Sequence, residues 1–373
     1  MFGRSWKVGS LGGIPIRVDS SWIFIFAFMT YSLWVRATVS HPFIAGGQAV
    51  ALGVLGSLLF FGTILLHELS HAIAARARGL RVVDITLVFF GGFTNTNTEE
   101  RGPGAEFLVA AVGPASTLVI GGLFLASGRI TGWSGTPLSE TFHFLGQWSL
   151  LIGAFNLLPG FPLDGGRMLR AGVWGATGNL SRATMVAAAA GLAVGILLIA
   201  GGVLQASRGD LGTGVWITVM GWWIISAARG SQQRERMRAR LSGGTVSYAM
   251  GPPPTAIPAE LTLSEALDRY LRGHETESFP VAEAPAIAGF APSVVGVLTF
   301  RSASDVGRID PLRPVREAAI PMAEVLSVAP ETGLAEALDR LGGGRAALVL
   351  RDGELVGQIT QSDIASWASS QRV

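Results

Sequence analysis

The 373-residue chain contains no cysteine. Disulfides, thiolate metal sites and cysteine nucleophiles are therefore excluded, and any metal must be held by His, Asp or Glu. Histidine is scarce as well: His41, His67, His71, His143 and His274 are the whole supply. Lysine is confined to Lys7, so the net charge of +2 and the pI near 9.5 rest on arginine. Charge of either sign is thin, at 14% of residues against about 25% in an ordinary globular domain. A basic pI can mark a nucleic-acid binder. Here the arginines flank apolar segments instead of forming one stripe, so no nucleic-acid partner is expected. No small-residue cleavage site follows the first apolar segment, so no cleavable signal peptide is expected either.

What the chain has in abundance is apolar sequence, concentrated in residues 1–228, whereas 229–373 reads like an ordinary soluble segment. A transmembrane helix needs about 20 mostly apolar residues to cross the hydrocarbon. Six segments qualify: 20–38, 48–75, 104–127, 141–160, 183–205 and 211–228, the fourth running into a Pro- and Gly-containing break at 159–166. Lys and Arg in short flanks orient the spans. Arg4, Lys7, Arg17, Arg76, Arg78, Arg81, Arg101, Arg167, Arg170, Arg182 and Arg229 fall on one side, with Arg36, Arg129 and Arg208 on the other. This predicts a multi-pass cell-membrane protein with both termini and the soluble part in the cytosol. Residues 229–244 form a basic linker, read as a helix extension whose arginines face anionic headgroups.

Two further features lie outside the spans. Residues 82–90 read as a strand of β-branched and aromatic residues, with Gly91-Gly92 as a tight turn into Phe93-Thr-Asn-Thr-Asn. A re-entrant hairpin and a plain amphipathic loop both fit this pattern. After the linker comes an internal repeat. Residues 263–271 align with 334–342, and each unit then reaches a strand ending Gly-hydrophobic-hydrophobic-Thr, at 296–299 and 357–360. The first copy carries an Ala- and Pro-rich insertion around 274–292. Two α/β units of about 60 residues imply a small tandem domain. The expected layout is 1–228 membrane domain, 229–244 linker, 245–303 first repeat and 304–373 second repeat.

The chemistry lies in His67-Glu-Leu-Ser-His71 on the second apolar segment. On a helix, positions i and i+4 share a face one turn apart, so both imidazoles can reach one metal ion. Glu68 projects near the same side and can activate water, then return a proton to a leaving amine. Zinc suits such a set, since it takes imidazole and carboxylate ligands tetrahedrally with one position open. The bare spacing arises by chance in a chain of this length about one time in a hundred. Its place inside an apolar helix sharpens it, because intramembrane ionisable residues are costly without a function.

Zinc requires a third protein ligand. His41 and His143 fall on the non-cytosolic side and His274 in the soluble part. The better candidate is Asp164, in Asn156-Leu-Leu-Pro159-Gly-Phe-Pro162-Leu-Asp164-Gly165-Gly166-Arg167. Pro159, Pro162, Gly165 and Gly166 break the fourth segment near its cytosolic end, where the second segment has also carried His67. A helix cap or an Arg167 partner is the bland alternative for this carboxylate.

HELSH on a membrane helix, followed by Asn156-x-x-Pro159 and Asp164-Gly165, resembles the site-2 protease family of intramembrane zinc proteases over roughly residues 10–228. The resemblance implies a polytopic α-helical membrane protein with a membrane-associated β-hairpin, cleaving membrane-anchored protein substrates within the bilayer. It implies that His67, His71 and Asp164 bind one Zn2+ and that Glu68 is the catalytic acid/base. Asn156 would orient substrate or stabilise the oxyanion. Gly91, Gly92 and Phe93 would belong to a hairpin that holds substrate as an extended strand. Gly113-Pro114-Ala115-Ser116 is like a Gly-Pro element of the family, with Ser116 near the place where an Asn is often found. The tandem repeat resembles a pair of CBS domains, which implies an adenine nucleotide and homodimerisation. Thr360 and Asp363 match the ribose-contacting Thr-x-x-Asp, whereas the first copy has Thr299 and Ser302 with no Asp. The alternative is an ion transporter or channel with a CBS regulatory pair, although residues 1–228 show no repeated halves.

Overall fold

The computed structural model describes residues 5–88, 91–96, 102–130, 132, 135–273, 278–283, 293–342 and 346–370. Arg4, Arg101 and His274, named above, lie outside the described residues, as do residues 89–90 of the expected strand. The chain divides into two compact units, Met1–Glu235 and Arg236–Val373.

The first unit opens with a hairpin that the composition did not reveal. β1 (Ser5–Leu11) pairs antiparallel with β2 (Ile14–Asp19) across Gly12-Gly13, both at positive φ. Two successive left-handed residues make the turn whose twist matches paired strands. Then follow α1 (Ser21–Ser40), α2 (Gly46–Ala77), β3 (Val82–Val88), β4 (Gly91–Thr96), α3 (Pro103–Ile130), α4 (Pro137–Asn156), α5 (Asp164–Thr177), α6 (Leu180–Ser207) and α7 (Leu211–Leu241). The four strands form one sheet in the order β1-β2-β3-β4, with β2 and β3 parallel and β3 and β4 antiparallel. Gly91 and Gly92 begin β4 instead of forming the turn that the sequence reading assigned them. Ile14, Ile85, Leu80 and Val82 pack on Ala72, Ala75 and Val109, which fastens the sheet to α2 and α3.

Among the described residues, five helices are long and apolar enough to cross a membrane: α1, α2, α3, α6 and α7. The fourth expected span coincides with α4, which carries Glu140 and His143 and is not among them. Large apolar side chains stand on the outer faces of these helices, with Phe24 73% and Leu197 71% exposed. Such a surface fits a lipid surrounding and would aggregate in water. α3 packs against α2, α4 and α5, and so sits between the elements that bear the candidate site. The break at 157–163 is followed by α5, a short helix with no counterpart in the sequence reading. The basic linker continues α7 as helix through Leu241.

In the second unit each repeat copy builds a helix, a strand pair and a closing helix. The first copy has β5 (Ile257–Pro258), α9 (Leu263–Ala266), β6 (Ser278–Glu283), β7 (Ser293–Thr299) and α10 (Phe300–Gly307), and is preceded by α8 (Val246–Ala249), whose Val246 packs in the core of the second copy. β8 (Ile320–Pro321) and β9 (Ser327–Val328) lead into α11 (Leu334–Leu341), β10 (Ala346–Arg351), β11 (Glu354–Thr360) and α12 (Gln361–Ser370). The sheets run β5-β6-β7-β8 and β11-β10-β9. Leu263, Leu271, Val281 and Leu298 fill one core, and Leu334, Val349, Ile359 and Ile364 fill the other. Burying each such side chain contributes about 1.5–3 kcal/mol, a core of ordinary soluble type.

Candidate metal centre

His67, Glu68 and His71 lie on the buried face of α2, with 7%, 7% and 5% of their surfaces exposed. Asp164 is the first residue of α5, and its position there brings the carboxylate onto the two imidazoles. His67 Nε2 lies 3.1 Å from Asp164 Oδ2 and 3.1 Å from His71 Nε2, and His71 Nε2 lies 3.3 Å from the same oxygen. These atoms form one nearly equilateral triangle. Tetrahedral zinc holds nitrogen and oxygen ligands at about 2.0–2.1 Å, which separates any two by about 3.3 Å. The donor set and its spacing fit the ion. Among the described residues it is the one group of three His, Asp or Glu side chains close enough to hold a metal.

The outer ring nitrogens are held by α3. His71 Nδ1 lies 2.6 Å from the Val109 carbonyl oxygen, which can only accept, so that nitrogen carries the proton. His67 Nδ1 lies 2.9 Å from Thr117 Oγ1, whose own proton is directed to the Gly113 carbonyl oxygen at 3.2 Å. Both rings thus turn an unprotonated Nε2 toward the triangle, the arrangement typical of metal-ligating histidine. α3 also makes room for them. A Cβ at Gly113 would stand 2.3 Å from His71 Nε2 and 2.9 Å from His67 Nε2.

Glu68 faces the hairpin. Its Oε2 accepts a hydrogen bond from Thr94 Oγ1 on β4 at 2.9 Å. Gly92, one of the expected substrate-holding residues, abuts the Glu68 side chain. Gly91 starts the same strand, and Phe93 points to the opposite face with 38% of its surface exposed. Asn156 closes α4, half-buried, and makes no hydrogen bond to the triad or Glu68 among the described residues.

α5 is fastened by a buried ion pair. The Arg170 guanidinium meets the fully buried Glu106 carboxylate of α3, and stacks over the Phe161 ring at 5.3 Å. Three contributors escaped the sequence reading: Thr117, Thr94 and the Glu106–Arg170 pair; Gly113 entered it only as part of the Gly-Pro element. Ser116, singled out instead of Thr117, donates to its own helix at the Gly113 carbonyl and does not reach the site.

The second candidate site looks different. Thr360 N and Oγ1 both donate to Asp363 Oδ2, at 2.9 and 2.7 Å, and Asp363 N donates back to Thr360 Oγ1 at 3.2 Å. These two side chains cap α12. Thr299 and Ser302 make the same reciprocal cap on α10, so the motif difference between the copies preserves a structural role.

Comparison with known proteins gives consistent relatives. The model of the family described as "Peptidase family M50" matches residues 55–135 and 133–200, and that of "CBS domain" matches 315–370. The chain is 34% identical over 370 residues to "Putative zinc metalloprotease Rip3" of Mycobacterium tuberculosis, covering 96% of this chain and 91% of the relative. It is 34% identical over 268 residues to "Putative zinc metalloprotease sll0528" of Synechocystis, covering 72% and 70%. The solved "Site-2 Protease from Methanocaldococcus jannaschii" aligns with 22% identity and a TM-score of 0.42, over 61% of this chain and 95% of that one.

Proposed function

Because this chain belongs to peptidase family M50, the site-2 protease family, we propose that His67, His71 and Asp164 hold one zinc ion and that Glu68 is its acid/base partner. The chain is a zinc-dependent intramembrane metalloprotease. The observation that carries the residue assignment is the triangle of Nε2, Nε2 and Oδ2 with sides of 3.1, 3.1 and 3.3 Å. Membership of a peptidase family leaves the ion-transporter alternative without ground.

When bound, zinc supplies Lewis acidity, polarising a peptide carbonyl and making water a competent nucleophile near neutral pH. Glu68 takes a proton from the attacking water and returns one to the leaving amine. Asn156, one loop before Asp164, is assigned to orienting the substrate or stabilising the oxyanion. The substrate is a membrane-anchored protein cut in or near its transmembrane segment. A helix hides its scissile amides in internal hydrogen bonds, so it must unwind. β4 ends its sheet, and pairing of the unwound segment along the strand at Gly91, Gly92 and Phe93 supplies replacement bonds.

The remaining assignments rest on the hydropathy, the arginine flanks and the CBS resemblance. Six spans, with α4 as the fourth, put both termini and the tandem CBS domains in the cytosol, in the layout 1–228, 229–244, 245–303 and 304–373. The CBS pair regulates cleavage, with Thr360 and Asp363 on the ribose of an adenine nucleotide, and it supports a homodimer.

The test is cleavage of a transmembrane reporter in membranes. Glu68→Gln should lower the rate about 10²-fold or more while keeping zinc at one per chain. His67→Ala and Asp164→Ala should lose both zinc and activity. Wild-type rates in Glu68→Gln and Asp164→Ala would refute the assignment.

A further inference from the structure

β4 does more than border the sheet. Side chains alternate along a strand, so Gly92 and Thr94 share the face turned to α2, and both meet Glu68. Thr94 Oγ1 lies 2.9 Å from Glu68 Oε2 and 3.3 Å from the Glu68 carbonyl oxygen. A hydroxyl has one proton, and the carboxylate is both the nearer and the charged acceptor, so the proton goes to Oε2. On the neighbouring position, a Cβ at Gly92 would stand 2.7 Å from Glu68 Cγ and 3.2 Å from Cδ. Gly92 is not at positive φ, so its backbone accepts alanine; the group met at the shortest distance is Glu68, with Leu87 Cδ2 next at 3.2 Å. The strand therefore confines one buried carboxylate by a hydrogen bond and by a steric wall.

We propose that Thr94 is a positioning residue for the base: its hydroxyl, carried by β4, fixes the Glu68 carboxylate with Oε2 engaged and Oε1 left to handle the proton. The proposal rests on the protease reading above. It joins two tasks in one element, because the strand that would seat the substrate is the strand that aims the base. A misplacement of about 1 Å in such a group can lower turnover about 10²-fold.

The test is kinetic, on full-length protein in membranes, alongside zinc content and unfolding temperature. Thr94→Val keeps the shape and removes the proton. It should lower kcat about 10- to 100-fold, with KM within about threefold of wild type and zinc still at one per chain. Thr94→Ser should restore most of the rate, since it returns the hydroxyl. Gly92→Ala, which displaces the base by another route, should also lower kcat with zinc retained. Wild-type kcat in Thr94→Val overturns the proposal. So does a loss confined to KM, a loss of zinc, or a serine variant no better than valine. Glu68→Gln separates the two readings. If it is inactive while Thr94→Val is normal, only the positioning role falls; if it cleaves at the wild-type rate, both fall.

Discussion

His67 Nδ1 and Thr117 Oγ1 meet at 2.9 Å across two helices and 50 residues of sequence. The hydroxyl accepts from the ring and passes its own proton to the Gly113 carbonyl, so it selects the tautomer whose Nε2 is free for metal. Loss of such an outer partner typically lowers metal affinity about 10- to 100-fold. Thr117→Val should therefore weaken zinc binding by that factor, and Thr117→Ser should not. Competition against a chromophoric chelator measures both.

Gly113 is held to its identity by the two imidazoles that fill the place of a side chain. Gly113→Ala should insert without unfolding the helix, since alanine is the better helix former. Zinc content should nevertheless fall below half occupancy, because the rings must part to admit the methyl group. Elemental analysis of the purified variant against wild type decides this.

The Glu106 carboxylate is fully buried and paired with Arg170. Removing one partner of a buried pair costs about 3–5 kcal/mol. Arg170→Ala should lower the unfolding temperature in detergent markedly. It should also lower zinc affinity, since α5 carries both Arg170 and Asp164. A variant that keeps both properties would show the pair to be dispensable.

Thr360 and Asp363 cap α12 reciprocally. Loss of a side-chain cap costs about 0.5–2 kcal/mol, so Asp363→Ala should destabilise the C-terminal unit with no nucleotide present. Thermal unfolding with and without AMP tells the two roles apart. A stability loss that is independent of AMP belongs to the cap, and a lost AMP-induced shift belongs to the binding site.

The parts of this architecture written in local pattern were legible from the sequence. HELSH announces itself by helical spacing, and the Pro–Gly break before Asp164 marks where the fourth segment must stop. The repeat is visible as self-similarity, with both copies ending a strand in Thr299 or Thr360. The parts missed are those made by distant contact. Thr94 reaches Glu68 over 26 residues and Asp164 reaches His67 over 97, distances at which periodicity carries no information. Asp164 was nevertheless singled out, because zinc calls for a third ligand; nothing comparable demanded Thr94 or Thr117. The β1–β2 hairpin was overlooked for a different reason. Its Gly12-Gly13 turn, followed by alternating Ile14, Ile16 and Val18, is an adequate signal, but it sits beside apolar runs that dominate any hydropathy reading.

The ligands of the proposed centre are divided between α2 and α5, 97 residues apart. During synthesis at about 5–20 residues per second, the HELSH helix is made about 5–20 s before the carboxylate that completes the site. For that interval the proposed set has its two imidazoles and lacks its third ligand.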